Sequence, residues 1–143
     1  KALGEITQPP HLTIRTSIIG PELKENGIGL FLWFMKQQGE VSGFERVYWN
    51  GVTTLELAKV IHQLIEDEME GLLHLHTQTT ISKYELLQLI REIFEKKDIS
   101  IVPSNDFHLD RTIVNTRKEL NYSIPSYREM LIELKDWMND QNG

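Results

Sequence analysis

Between Pro9-Pro10 and Gly20-Pro21 the chain runs Leu12-Thr13-Ile14-Arg15-Thr16-Ser17-Ile18-Ile19, a density of β-branched residues that predicts a buried strand. Apolar residues then recur at helical spacing, with Ile28, Phe31, Leu32 and Met35 on one face and Trp33 near the middle, so a helix is expected over about 28–38 with Gly39 as its stop. Val47 to Trp49 reads as a short strand closed by the turn dipeptide Asn50-Gly51.

Three further helices are announced by one device. Thr53-Thr54-Leu55-Glu56, Ser82-Lys83-Tyr84-Glu85 and Ser126-Tyr127-Arg128-Glu129 each place a hydroxyl three residues before a glutamate, the capping box that pairs free backbone donors at a helix start. Each is followed by an apolar stripe: Leu57, Ala58, Ile61, Leu64 and Ile65; Leu86, Leu87, Ile90, Ile93 and Phe94; Met130, Leu131, Leu134, Trp137 and Met138. Gly71–Thr77 and Ile99–Pro103 have strand length and composition between them. Strands separated by amphipathic helices define an α/β chain with few, mostly parallel strands. So few strands are expected either to complete a larger sheet or to cover their edges against a second copy in a homodimer.

Composition narrows the classes. A chain of 143 residues is one domain's worth, able to bury about two thirds of its unfolded surface. With 40% hydrophobic and 25% charged residues and no window near the roughly 18 apolar residues of a span, a membrane segment is not expected. The absence of Cys removes disulfide and thiolate chemistry and fits a cytoplasmic location. A net charge of −6 argues against a nucleic-acid partner. The acidic run Glu66-Asp67-Glu68 with Glu70 lacks the glycine and alternating ligands of a calcium loop and reads as a solvated face.

Candidate chemistry is sparse. Gly27-Ile28-Gly29 precedes a helix but lacks the third glycine of a dinucleotide fingerprint, so a flexible helix start is the better reading and the chain alone is not expected to bind a dinucleotide. His74 and His76 share a face of a predicted strand, yet without Cys or a third ligand at a fixed offset no metal site is expected. A trio of Ser17, His74 and Asp110 has no Gly-x-Ser-x-Gly turn to support it. Arg15 inside an apolar strand needs a partner, and a structural ion pair is favoured over a ligand. Arg111, in a predicted loop after Asp110, has a donor fork suited to phosphate or carboxylate, with an ordinary surface ion pair as the equal alternative.

The order of several segments resembles the extended short-chain dehydrogenases/reductases, closest to the branch of the dTDP-4-dehydrorhamnose reductases, over Lys1 to about Trp137. Lys1-Ala2-Leu3-Gly4-Glu5 looks like the end of their Tyr-x-x-x-Lys helix, and Leu12 to Gly20 like their Arg-Thr-Ser strand. Gly51-Val52-Thr53-Thr54-Leu55-Glu56-Leu57-Ala58 is similar to their Gly-x-Pro-Thr helix start, with Thr53 in place of proline. Gly71-Leu72-Leu73-His74-Leu75, with Ser82-Lys83-Tyr84-Glu85, is similar to their Gly-x-Tyr-His-Leu strand and Ser-x-Tyr-Glu helix. Asp110-Arg111-Thr112 with Tyr122, Pro125 and Glu129 is similar to their Arg-Pro ending, with Thr112 in place of proline.

The resemblance implies the C-terminal, substrate-binding part of an NAD- or NADP-dependent reductase of a nucleotide-activated 4-keto-6-deoxysugar. Residues 1–143 would form one such part, 1–20 being the junction to an N-terminal Rossmann domain absent from the chain, which would leave it inactive alone. By the same resemblance Lys1 is the catalytic lysine that also bonds the nicotinamide ribose. Thr16 and Ser17 border the cofactor, Ser17 and Asn26 meet the sugar nucleotide, and Arg111 approaches its pyrophosphate. An epimerase or dehydratase, or a non-catalytic regulatory subunit, would share this architecture.

Overall fold

In the computed structural model, which describes residues 4–24, 26–117 and 122–141, the Thr- and Ile-rich stretch divides into two short strands. β1 (Leu12–Arg15) runs parallel to β5 (Gly71–His74), and β2 (Ile18–Ile19) runs parallel to β4 (Val52–Thr53). The single predicted strand therefore changes partner at Thr16-Ser17: the Arg15 carbonyl accepts from Leu75 N–H and the Ser17 carbonyl from Val52 N–H. That switch breaks the ladder and leaves the Thr16 and Ser17 side chains at a strand end.

The third sheet is larger than its sequence signals. β3 spans Gly39–Trp49 and β7 spans Ile99–Asp110; they pair in parallel, with a register shift between Phe44 and Arg46, and the two-residue β6 (Ile81–Ser82) pairs antiparallel with Tyr48 and Trp49. Pro103 and the polar run Ser104-Asn105-Asp106 read locally as a turn. β7 lies at the edge of the order β6-β3-β7, where a missing N–H goes unused, so the strand continues through them.

Among the described residues there are four helices, α1 (Leu30–Lys36), α2 (Thr54–Glu66), α3 (Lys83–Ile93) and α4 (Tyr127–Gln141). The mixed α/β class and the prevalence of parallel pairing agree with the sequence reading. Three apolar faces do not, the mildest case being α4, whose Trp137 is 43% exposed. α1 begins at Leu30 because the Glu22 carboxylate accepts from the N–H of the N-cap residue Gly29, 2.7 Å away, and Ile28 falls outside the helix, 97% exposed. α2 buries Glu56, Val60 and Leu64, while Ile61 and Ile65 face out. Its orientation is set by β4 and α4, against which it packs.

The caps follow the sequence closely. Ser82 and Glu85 form a reciprocal box, as do Ser126 and Glu129. At α2 only half of it forms: Thr53 Oγ1 accepts from Glu56 N–H, but the Glu56 carboxylate turns inward to Lys59, 3.1 Å away. α3 lies between β3 and α4, and Leu86, Leu87, Ile90, Met130, Leu131 and Leu134 make the centre of the core.

Candidate functional site

A cleft of about 620 Å³ opens between the β2 end, the β3–β7 ribbon and the start of α3. Its walls are Ser17, Ile18, Ile19, Leu30, Phe44, Val47, Tyr48, Trp49, Lys83, Leu86, Phe107, His108, Leu109 and Arg111. The two strands supply most of it, β3 through Phe44, Val47, Tyr48 and Trp49 and β7 through Phe107, His108 and Leu109, with Arg111 just beyond β7. The Phe44 and Phe107 rings meet edge to face at 5.0 Å, and Tyr48 and His108 at 6.4 Å, so the ribbon presents a wall of interlocked aromatic faces.

Ser17 is fixed from this wall. Trp49 Nε1–H donates to Ser17 Oγ at 2.6 Å, while the other side of the indole packs toward the Tyr127 ring at 5.7 Å. Gly51 makes that approach possible, because a Cβ there would run into the Ser17 carbonyl oxygen and the Trp49 ring. Ser17 Oγ thus accepts one bond and keeps its own hydrogen to donate. Thr16 is half-buried beside it, and its hydroxyl makes a bond of 3.3 Å to the Ser17 carbonyl.

Arg111 is positioned by its backbone. Its N–H donates to the Tyr48 carbonyl at 3.0 Å, extending the β3–β7 pairing by one step. The buried Asn50 then grips the chain two residues on: its Nδ2–H donates to the Ile113 carbonyl at 2.8 Å, and its Oδ1 accepts from Ile113 N–H at 3.0 Å. Asp110, the neighbour that offered an ion-pair partner, instead accepts from Thr112 N–H at 2.9 Å, and that bond holds its carboxyl below the usual range. Among the described residues no carboxylate lies within ion-pair reach of the Arg111 guanidinium, which leaves its donors for a ligand.

The other candidates separate cleanly. Arg15 is paired in a fork with Glu5 at 2.8 and 2.7 Å, the structural role expected of it, and this pairing holds the Glu5 carboxyl below its usual range. Asn26 is exposed in the segment before α1 and does not line the cleft. Lys1 lies outside the described residues. The trio of Ser17, His74 and Asp110 does not assemble, since each has a different partner. His74 Nδ1–H donates to the Val114 carbonyl at 2.9 Å, and His76 Nε2 accepts from Asn115 N–H at 2.9 Å. Both rings therefore hold the segment that follows Arg111. Among the described residues no group of three potential metal ligands occurs, and no helix is long and apolar enough to cross a membrane. Sequence reasoning missed Phe44, Tyr48, Trp49, Phe107 and Lys83; the aromatic residues at 44, 48, 49 and 107 were the available signal, obscured on β7 by the turn-like composition at 103–106.

The fold recurs in solved structures. dTDP-4-dehydrorhamnose reductase from Bacillus anthracis, in complex with NADP, superposes with a TM-score of 0.72 at 17% identity, over 90% of this chain and 48% of the reductase. The reductase ortholog from Clostridium acetobutylicum gives 0.69 at 18%, over 90% and 49%. UDP-N-acetylglucosamine 4-epimerase from Methanobrevibacter ruminantium, in complex with UDP-N-acetylmuramic acid, gives 0.65 at 14%, over 91% and 46%.

The chain has the fold of one half of these enzymes.

It spans about half the length of the solved structures it matches. No family model matches the sequence. No curated protein matches it either.

Proposed function

We propose that the chain is the substrate-binding part of an NAD(P)-dependent reductase of a nucleotide-activated 4-keto-6-deoxysugar. The observation that carries this reading is the convergence of Ser17, at the broken strand, and Arg111, at the end of β7, on one aromatic-walled cleft. Its size is right for a nucleotide-sized ligand, since small-molecule sites run from about 300 to 1,000 Å³. Arg111 offers a planar fork to a pyrophosphate, Ser17 a hydroxyl to a sugar, and the aromatic wall a flat apolar surface to a base. Asn26 enters this proposal through the resemblance alone, as a contact to the sugar nucleotide from the segment before α1.

The cofactor belongs to this reading only at its edge. Two strand-end hydroxyls, Thr16 and Ser17, suit the carboxamide of a nicotinamide, whereas the described residues offer no cradle for its phosphates: the Gly29 amide, in the segment closest to one, already donates to Glu22. NAD or NADP, when bound, would supply hydride to the keto carbon. Lys1, with a tyrosine four residues upstream of it, would lower that tyrosine's pKa so that it can act as the acid. The parent protein would thus bring the cofactor domain, and the 143-residue chain would be inactive alone.

The test has two parts. Tryptophan fluorescence of the chain, reporting on Trp49 at the cleft, is expected to respond to dTDP- or UDP-sugars and to lose at least tenfold in affinity on Arg111→Ala; a smaller loss makes Arg111 a surface cation only. The parent protein is expected to oxidise NAD(P)H with a 4-keto-6-deoxysugar nucleotide. Oxidation by the isolated chain would overturn the assignment of chemistry to another part. The fold is equally that of a 4-epimerase, so product analysis separates a reduced sugar from an isomerised one.

A further inference from the structure

Lys83 is held where several effects disfavour a cation. It is the first residue of α3, at the positive end of an 11-residue helix. Its neighbour Ser82 pairs with Tyr48 across the β6–β3 ladder, which aims Lys83 over the sheet rather than into solvent. The side chain is half-buried, and among the described residues no carboxylate is within ion-pair reach. Burial, and behind it the positive charge of Arg111, keeps the ammonium below the usual lysine range. What holds it is a pair of aromatic faces: Nζ lies 5.0 Å from the Trp33 ring centroid and 5.1 Å from that of Phe44. Cation–π contacts of this kind return part of the lost hydration but leave the charge uncompensated.

We propose that Lys83 is the second cation of the cleft and acts with Arg111 to select a ligand bearing a diphosphate; this rests on the nucleotide-sugar reading of the same site. Two like charges face one apolar-walled space with no counter-ion among the described residues. A single carboxylate would neutralise one of them. A diphosphate neutralises both, taking the fork of Arg111 on one phosphoryl group and the point charge of Lys83 on the other. The aromatic pair fixes the ammonium in advance, so little side-chain entropy remains to be lost on binding.

The test is calorimetric titration of the 143-residue chain with dTDP, dTMP, thymidine and inorganic pyrophosphate, using wild type, Lys83→Met, which keeps the apolar stem and removes the charge, and Lys83→Arg. Wild type is expected to prefer dTDP to dTMP to thymidine. Lys83→Met should lose about tenfold on dTDP, the size of one charge-assisted hydrogen bond, and almost nothing on thymidine. Lys83→Arg should restore most of the loss. His108 lines the same cleft in both proteins, so the comparison is between them: wild-type affinity for dTDP should fall as pH rises through the lowered lysine value, and Lys83→Arg should lack that fall because arginine stays charged. That pH profile and the Arg variant decide the matter even if Lys83→Met fails to fold.

Equal losses on dTDP and thymidine, or dTDP binding by Lys83→Met within twofold of wild type, would overturn the role of Lys83 while leaving the nucleotide reading intact. Conversely, pyrophosphate binding that depends on Lys83, with no gain from any nucleoside, would sustain the two-cation site and sink the nucleotide reading. No binding of any phosphate compound sinks both.

Discussion

Replacing Asn50 by Ala removes the clamp that fixes the chain just beyond Arg111. The Asn50 side chain makes both of its bonds to one residue, accepting from Ile113 N–H at 3.0 Å and donating to its carbonyl at 2.8 Å. Its own carbonyl, which accepts from Thr77 N–H, survives the change. Asn50 is 6% exposed but Ile113 is only half-buried, so water can partly replace the lost partners. Each bond then counts for about 1–1.5 kcal/mol rather than the full penalty of a buried orphan, giving roughly 2–3 kcal/mol in total. For a chain of this size that is a fall in Tm of roughly 8–12 °C. Urea unfolding and amide hydrogen exchange check the two halves of the claim. The midpoint should fall with an unchanged slope, and protection at Ile113 should collapse while that at Arg111, still bonded to Tyr48, falls less. A Tm within 3 °C of wild type, or unaltered protection at Ile113, would refute the reasoning.

Gly51→Ala should destabilise by about 1–3 kcal/mol through overpacking against the Ser17 carbonyl and the Trp49 ring, and should shift tryptophan emission; unfolding with unchanged emission would mean that the clash is relieved elsewhere. Lys59→Met should cost about 2–3 kcal/mol, less than for a fully buried pair because Lys59 is partly exposed, since it strands the buried Glu56 carboxylate. Adding Glu56→Gln should recover much of that loss, and a double variant as unstable as the single would argue against an uncompensated charge. Bonding to Glu133, opposed by burial and assisted by Glu56, holds the Lys59 ammonium above its ordinary range, so its contribution is full below pH 10.5 and is lost only as pH rises through the raised value. Burial pushes the Tyr127 hydroxyl up to about 12, against its bond to Thr77. That residue favours folding fully below its ordinary value of 10.0 and ceases to as pH climbs toward 12; because burial and a bond to Glu56 push Tyr122 up to about 12 as well, ultraviolet titration should show two late tyrosines, of which Tyr127→Phe removes one.

Local chemistry was readable wherever few residues decide it. The hydroxyl-to-glutamate spacings located α2, α3 and α4, because a cap is satisfied within four residues of chain. The stripe Leu86, Leu87, Ile90 and Ile93 was correct since α3 is covered on that face by both β3 and α4. Arg15 was rightly expected to be paired, as an arginine in a strand must be. Ile61 and Ile65 were misplaced for a reason that local pattern does not contain: a helix with apolar residues on more than one side is turned by its neighbours, and here α4 and β4 chose the face with Glu56, supplied with Lys59.

The site divides along the same line. Composition and spacing by themselves determined an α/β chain with capped amphipathic helices, and the segments that resemble extended reductases pointed to Ser17 and Arg111. Only the tertiary structure brought those two residues to one cleft, extended β7 through a proline and a polar run, and set Lys83 between Trp33 and Phe44. Caps and stripes depend on neighbours within a turn of helix, whereas the cleft depends on pairing between residues more than thirty positions apart, such as Trp49 with Ser17 and Asn50 with Ile113. Those pairings are fixed by the packing of whole strands and not by any local run of side chains.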